Sequence, residues 1–348
     1  MSIKRAIKGF VHRACTALFK QLPPALRAQI VRDGVGMSDL YTHLPPHLLI
    51  GLCLGSAARL QNISSIVITG ALGAIEGSPR DRVILPTYAA YGTWSPELHS
   101  LITDVIFRDG QGTFLDIGAN IGLTCVPVAS RHRVTCIAFE PDPTNYAFLK
   151  NNIKRNGVAD LVRPYNLALF DAATELEMEL SPDNLGDHRV RAAGASPSAA
   201  EAFNESQRRV IKIRAARLDD VLRDYTLPPP VVAKLDVQGA ELHVLRGGLQ
   251  TLQHVDLMVL EFWPYGLARA GASIEELFEY FRRFPLGAVL SFDQHHEIPS
   301  AITLEFSDME SMIVTLKREL LQEDPDSHVD IILARESMLG FFTTSEKR

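Results

Sequence analysis

The stretch Gly112-Thr113-Phe114-Leu115-Asp116-Ile117-Gly118-Ala119-Asn120-Ile121-Gly122 decides the fold. A short apolar run passes through an acid and ends in two glycines, the pattern of a buried strand turning tightly into a helix. Such a turn binds ligands. In an open α/β sheet the pocket lies outside the carboxyl ends of the strands, so Asp116 and the loop Gly118, Ala119, Asn120 to Gly122 are expected on its floor.

Glycine spacing separates two ligand classes. A dinucleotide enzyme needs G-x-G-x-x-G, because the second glycine lets the backbone approach a pyrophosphate. Asn120 stands at that position. Gly-x-x-x-Gly just behind an acid suits a ligand without a pyrophosphate whose positive groups need a carboxylate. S-adenosylmethionine, with its amino group and sulfonium, is such a ligand.

Further along, Arg133-Val134-Thr135-Cys136-Ile137-Ala138-Phe139 is a second apolar strand that runs into Glu140-Pro141-Asp142-Pro143. An acid at the end of that strand, about 20 residues past the turn, is placed to hold ribose hydroxyls, which selects Glu140. Asp142 as N-cap, Pro143 at the first helical position and Gly157 past the end frame a helix with Tyr146, Leu149 and Ile153 on one face. Asp142 therefore reads equally as a cap and as a cofactor contact. Residues 161–169 give a third strand, where Asn166 and the backbone near Ala168 are expected to face an adenine.

The run Val231-Val232-Ala233-Lys234-Leu235-Asp236 is a central buried strand, since it needs cover on both faces. As the neighbour of the first strand across the switch point, it brings Asp236 to the methionine end of the cofactor. Residues 255–263 form the next strand, ending at Glu261. Asp236 and Glu261 are thus the candidate general bases at the pocket rim. The competing reading has Asp236 orienting the cofactor and Glu261 capping a turn.

Together these motifs, with Asn166-Leu167-Ala168-Leu169, Lys234-Leu235-Asp236-Val237-Gln238-Gly239-Ala240-Glu241 and Val244-Leu245-Arg246-Gly247, resemble the FkbM-type methyltransferases over roughly residues 91–263. The resemblance implies a class I, Rossmann-like α/β fold with a doubly wound, mostly parallel sheet. It also implies S-adenosylmethionine as cofactor and O-methylation of a hydroxyl on a sugar, glycolipid or secondary metabolite. Gln238 departs from the Glu that many members carry. The alternative function is a Rossmann-like nucleotide-binding oxidoreductase, or a binding module without catalysis, and Asn120 favours the methyltransferase.

The remaining chain sets the surroundings. With 348 residues, 46% apolar and 22% charged, it can bury a large core, and a net charge of −6 gives no basic footprint for nucleic acid. Cys15, Cys53, Cys125 and Cys136 show no C-x-x-C pairing, which fits a reducing compartment, so a cytoplasmic protein without structural zinc is expected. Residues 1–95 read as an accessory region of helices and strands, and residues 96–340 as the methyltransferase domain. Within 1–95, residues 1–20 form a basic amphipathic helix with Ile3, Ile7, Phe10, Ala14 and Leu18 on one face and no secretory signature. It either packs on the catalytic domain or docks peripherally on an anionic membrane.

Residues 48–55 are far short of the ~20 apolar residues a bilayer span needs and read as a buried helix. Residues 65–70 and 82–86 read as strands. Trp94, ahead of a helix that ends before Gly110, reads as a packing residue. The small-residue insertion 181–206 is expected to be flexible and to form a mobile flap over the acceptor pocket. Ser273 and Ser307 each begin a capping box, and strands at 288–292 and 329–333 complete the sheet. Asp293-Gln294-His295-His296-Glu297 alternates direction along an extended segment and converges poorly on one ion, so no metal site is read there.

Overall fold

The structure, a computed structural model, describes residues 47, 50, 63–191, 205, 208–290, 304–319 and 327–342. The expectations for residues 1–20, for most of 48–55, for 192–204, for 293–297 and for 343–348 lie outside these. In chain order the strands are β1 Ile66–Gly70, β2 Gly73–Gly77, β3 Thr113–Ile117, β4 Thr135–Phe139, β5 Val162–Tyr165, β6 Ala168–Leu169 and β7 Thr174–Leu180. They continue with β8 Arg189–Arg191, β9 Arg209–Ala216, β10 Val231–Leu235, β11 Leu257–Phe262, β12 Leu286–Leu290, β13 Ser307–Asp308 and β14 Val329–Ala334.

Eight of them form the central sheet, in the order β13, β12, β14, β11, β10, β3, β4, β5. The run from β11 to β5 is parallel throughout, while β14 enters antiparallel between β11 and β12. This is the doubly wound, mostly parallel sheet that the sequence implies. Side chains alternate across a strand, so Phe114 and Leu115 enter different cores. On one side Leu115, Ile117, Leu235 and Leu260 pack with Phe278 and Phe281. Opposite them, Phe114, Val232 and Val259 pack with Leu101 and Val126. Covered on both faces, the strands can be apolar throughout. No helix among the described residues is long and apolar enough to cross a membrane.

Three local expectations are corrected. The segment 161–169 is two strands, with β5 in the central sheet and β6 in a separate four-stranded sheet of order β6, β9, β7, β8. The break is held by the Asn166 amide, which donates to the carbonyls of Glu140 and Pro141 at 2.9 Å each. Residues 82–86 enter a helix, Ile84–Tyr91, because the Asp81 carboxylate accepts the N–H groups of Val83 and Leu85 at 3.2 and 2.6 Å and so supplies the missing partners of a first turn. The partner of β1 is β2 instead. Ser307 pairs with Gly287 in the sheet, leaving Asp308 to cap helix Met309–Glu319 by accepting the Ser311 N–H at 3.1 Å. At Ser273 only the N-cap half of the box forms: its hydroxyl accepts the Glu276 N–H, while the Glu276 carboxylate is drawn to Arg246.

The hairpin β1–β2 is fastened to the domain by polar ties from helix Pro143–Arg155. Asn152, fully buried, accepts the Glu76 N–H at 2.6 Å and donates to the carbonyls of Glu76 and Ile121 at 2.9 and 2.8 Å. One amide thus joins the hairpin, the helix and the loop after β3. Its removal leaves buried backbone groups unpaired, at about 1–3 kcal/mol each. Asn152→Ala should lower unfolding stability by about 2 kcal/mol or more in urea titration, and a change within about 0.5 kcal/mol would mean that the hairpin is held by other contacts.

Candidate active site

A cavity of about 610 Å³ opens at the carboxyl ends of β3, β4, β10 and β11, within the size range of small-molecule sites. Its floor is the loop after β3. Gly118 has φ +86°, and a Cβ there would lie 1.8 Å from the Asp236 carbonyl oxygen, so only glycine lets the loops after β3 and β10 touch. Asn120 also takes a left-handed φ of +50°. Its side chain donates to the Leu185 carbonyl at 2.9 Å and accepts the Ile121 N–H at 2.7 Å, so it holds a wall segment against the floor.

Glu140 ends β4 on one side of this floor. Its Oε2 accepts the Asn120 N–H at 2.9 Å and its Oε1 the Asp142 N–H at 2.8 Å. Burial pushes its pKa up to about 8, and the neighbouring charges of Asp142 and Asp116 add to the rise. Behind the wall, Asp142 Oδ1 caps the next helix by accepting the N–H groups of Thr144 and Asn145. Asp116 also lies behind the wall, fully buried: Oδ2 accepts the Cys125 N–H at 3.0 Å, and Oδ1 lies 4.0 Å from Lys234 Nζ. Desolvation raises its pKa against the opposing Lys234 charge.

The far end of the cavity is acidic. Lys234 Nζ lies 3.0 Å from Asp236 Oδ2 and 3.4 Å from the Gly118 carbonyl. Burial works against the lysine charge, but Asp236 and Asp116 outweigh it and raise its pKa above the ordinary value. Gln238, at φ +56°, donates through Nε2 to both Asp236 Oδ1 and Glu261 Oε2 at 2.8 Å. Only the amide nitrogen suits a position between two carboxylates. Antiparallel register sets Glu261 opposite Asp330. Burial, then the charges of Asp236, Glu241 and Asp330, raise the Glu261 pKa well above the carboxylate range, and burial pushes Asp330 up to about 6.

Residues 184–190 close the fourth side. This part of the expected insertion is ordered by charge: Arg189 binds Asp187 at 2.5 and 2.9 Å and Glu205 at 3.0 Å, and lies 4.5 Å over the Trp263 ring. Arg208 also binds Asp187, and Arg269 reaches Glu205 at 2.8 Å and Glu179. His188 Nδ1 accepts the Ser181 N–H at 3.1 Å, and burial lowers its pKa.

Of the residues selected from sequence, Gly118, Ala119, Asn120, Glu140, Ala168, Asp236 and Glu261 share the cavity wall. Asp116, Gly122, Asp142 and Asn166 stand behind it and shape the loops. Trp94 both lines the cavity and packs on the hairpin cluster. Lys234, Gln238, Trp263, His328 and Asp330 also line it without having been singled out as site residues, and residues 184–190 line it as part of the insertion expected over the pocket. Lys234 had a signal, since it precedes Asp236 by two residues on one strand and so shares its face. Asp330 had none, because its place depends on pairing with a strand about 70 residues away.

Comparison with known proteins follows the same residues. The Methyltransferase FkbM domain matches residues 116–305. The hexuronic acid methyltransferase AglP of Haloferax volcanii is 29% identical over 147 residues, covering 42% of this chain and 54% of that protein. The methyltransferase sdnD of Sordaria araneosa is 30% identical over 179 residues, 44% of this chain and 67% of its own. The 2-O-methyltransferase NoeI of Sinorhizobium fredii is 27% identical over 209 residues, 56% of this chain and 83% of its own. The chain thus spans about half the length of the first and two thirds or more of the other two. With the domain matched over more than half its length, this chain belongs to the FkbM methyltransferase family.

Proposed function

We propose that the chain is an S-adenosylmethionine-dependent O-methyltransferase whose acceptor is a hydroxyl on a small molecule, with a sugar ring as the favoured class. The observation that carries this reading is the single cavity that holds Glu140 beside the Gly118 loop at one end and the acidic cluster at the other. Glu140 keeps carboxylate lone pairs beyond the two backbone N–H groups, enough to accept from a ribose diol. Asn120 fills the position where a dinucleotide needs bare backbone, which disfavours the oxidoreductase reading. The sugar class is supported by the names of two relatives, a hexuronic acid methyltransferase and a 2-O-methyltransferase. It also suits a wall that sets the Trp263 ring beside hydrogen-bonding carboxylates.

The residues that would hold the cofactor are Glu140 at the ribose, the Gly118 to Asn120 backbone at the centre, Leu167 to Leu169 at the adenine and Asp236 at the methionine end. Bound there, S-adenosylmethionine supplies a methyl on a positive sulfur: the acceptor oxygen gains the C–O bond, sulfur keeps the C–S electron pair, and one proton leaves the hydroxyl. The chain's own contribution is then alignment within a closed space, together with a place for that proton.

Two substitutions test the cofactor end. Charge-assisted hydrogen bonds are worth roughly 1.5–3 kcal/mol, so above pH 8, where Glu140 is ionised, Glu140→Ala should weaken S-adenosylhomocysteine binding by at least about tenfold in calorimetry while the protein stays folded. Equal affinity would remove Glu140 from the site. Gly118→Ala forces a side chain against the Asp236 carbonyl at a left-handed φ, so it should lower stability by about 3 kcal/mol or more and weaken the same ligand. Undiminished affinity would place the ligand elsewhere. Wild-type protein that binds NAD and ignores S-adenosylhomocysteine would overturn the proposal in favour of an oxidoreductase.

A further inference from the structure

The two acids at the methionine end are not equivalent. Both Asp236 oxygens are engaged, Oδ2 by Lys234 Nζ at 3.0 Å and Oδ1 by Gln238 Nε2 at 2.8 Å. Glu261 is held through Oε2 alone, again by Gln238, and its Oε1 accepts no hydrogen bond among the described residues. Glu261 lines the cavity, and Oε1 is the oxygen it has left to offer an acceptor there. We infer that Gln238 divides the work: it helps Lys234 fix Asp236, and it aims Glu261 so that Oε1 takes the proton leaving the acceptor hydroxyl. Glu261 is then the catalytic base and Gln238 a positioning residue. This assignment rests on the methyltransferase reading above.

The surroundings agree with the role. Lys234 and Asp236 from β10, Glu241 from the helix that follows, Glu261's cross-strand partner Asp330 and the nearby His328 set the field around it. Burial, reinforced by acids that outnumber the cations there, makes the carboxyl hold a proton more readily than an exposed one. A base works best when its proton affinity is near the working pH. A cation brought to this end of the cavity lowers that affinity and frees the carboxylate when it is needed. Gln238 is central because Glu at that position would add a third carboxylate within hydrogen-bond distance of the other two, and the three would have to share protons.

Two ligands that differ in charge at sulfur make the assignment measurable. S-adenosylmethionine is cationic there and S-adenosylhomocysteine is neutral. Calorimetry of each, in buffers of different ionisation enthalpy between pH 6 and 8, counts the protons released on binding. The wild type should release more protons with the cationic ligand, Glu261→Gln should abolish the difference, and Asp236→Asn should retain it. Gln238→Leu, which removes the donor, should move the pH of the largest difference upward, a readout that a packing role alone would leave in place. A difference that survives in Glu261→Gln and vanishes in Asp236→Asn reverses the two roles. Tight binding of both ligands with equal proton counts in the wild type overturns the inference and leaves the cofactor reading standing. Failure of both ligands to bind sinks the cofactor reading and this assignment with it.

Discussion

One buried lysine joins the parts of the site. Lys234 sits on the central strand β10, in register with Asp116 on β3, and its Nζ reaches toward Asp116, the Gly118 carbonyl and Asp236. Taking these charges out of water is expensive, and removing one member of such a set leaves the others uncompensated. The paired strands set how close the loops after β3 and β10 stand, down to the Asp236 N–H on the Ile117 carbonyl at 3.1 Å, and the lysine holds together the charges that meet there. At that separation the Asp236 carbonyl lies where a Gly118 Cβ would be, which is why a glycine follows this strand. The ligand-binding turn is thus as much a consequence of β10 as of the motif that announces it.

The same burial that shapes the cavity works against the fold. Glu140, Glu241 and Asp330 have pKa values pushed up to about 8, 7 and 6, in each case chiefly by desolvation. Once unfolded, these groups lose their protons near the ordinary carboxylate values. Between those values and the folded ones, the unfolded chain binds fewer protons than the folded chain, so their contribution to stability falls as pH rises through the window. Buried His99 acts in the opposite sense at lower pH, because its folded pKa of about 4 lies below the ordinary imidazole value and its contribution grows as pH rises toward that value. Acids retained in such a setting, along the wall of one cavity or just behind it, are more readily explained by ligand chemistry than by stability.

Sequence carried the fold through local grammar. The run of apolar residues before Asp116, the Asp142 and Pro143 helix start and the Ser273 N-cap are each written in a few adjacent residues, and each forms where expected. Errors arose where a distant partner decided the outcome. Asn166 splits the segment 161–169 by binding carbonyls about 25 residues earlier, and Ser307 is drawn from a cap into a strand by Gly287. The site shows the same division: Glu140 and Asp236 could be placed from the ends of their own strands, whereas Asp330 enters only through the antiparallel insertion of β14.

The wall at residues 184–190 has a physics of its own. It is too polar to be held by apolar burial, and it is fixed instead by Asp187, Arg189, Glu205, Arg208 and Arg269, nearly all buried. Such a network contributes little net stability, because desolvation offsets most of the attraction, but it tolerates few alternative arrangements. Its members come from the β7–β8 connection, from the far end of the insertion and from helix Pro264–Arg269, which starts two residues after β11 ends. Arg189 stacked on Trp263 closes the link to the strand that carries Glu261. The wall at residues 184–190 is therefore tied to the strand end that bears the proposed base, so a change in the shape of this wall in a related protein would have to be accommodated by the ion network as well as by the cavity lining.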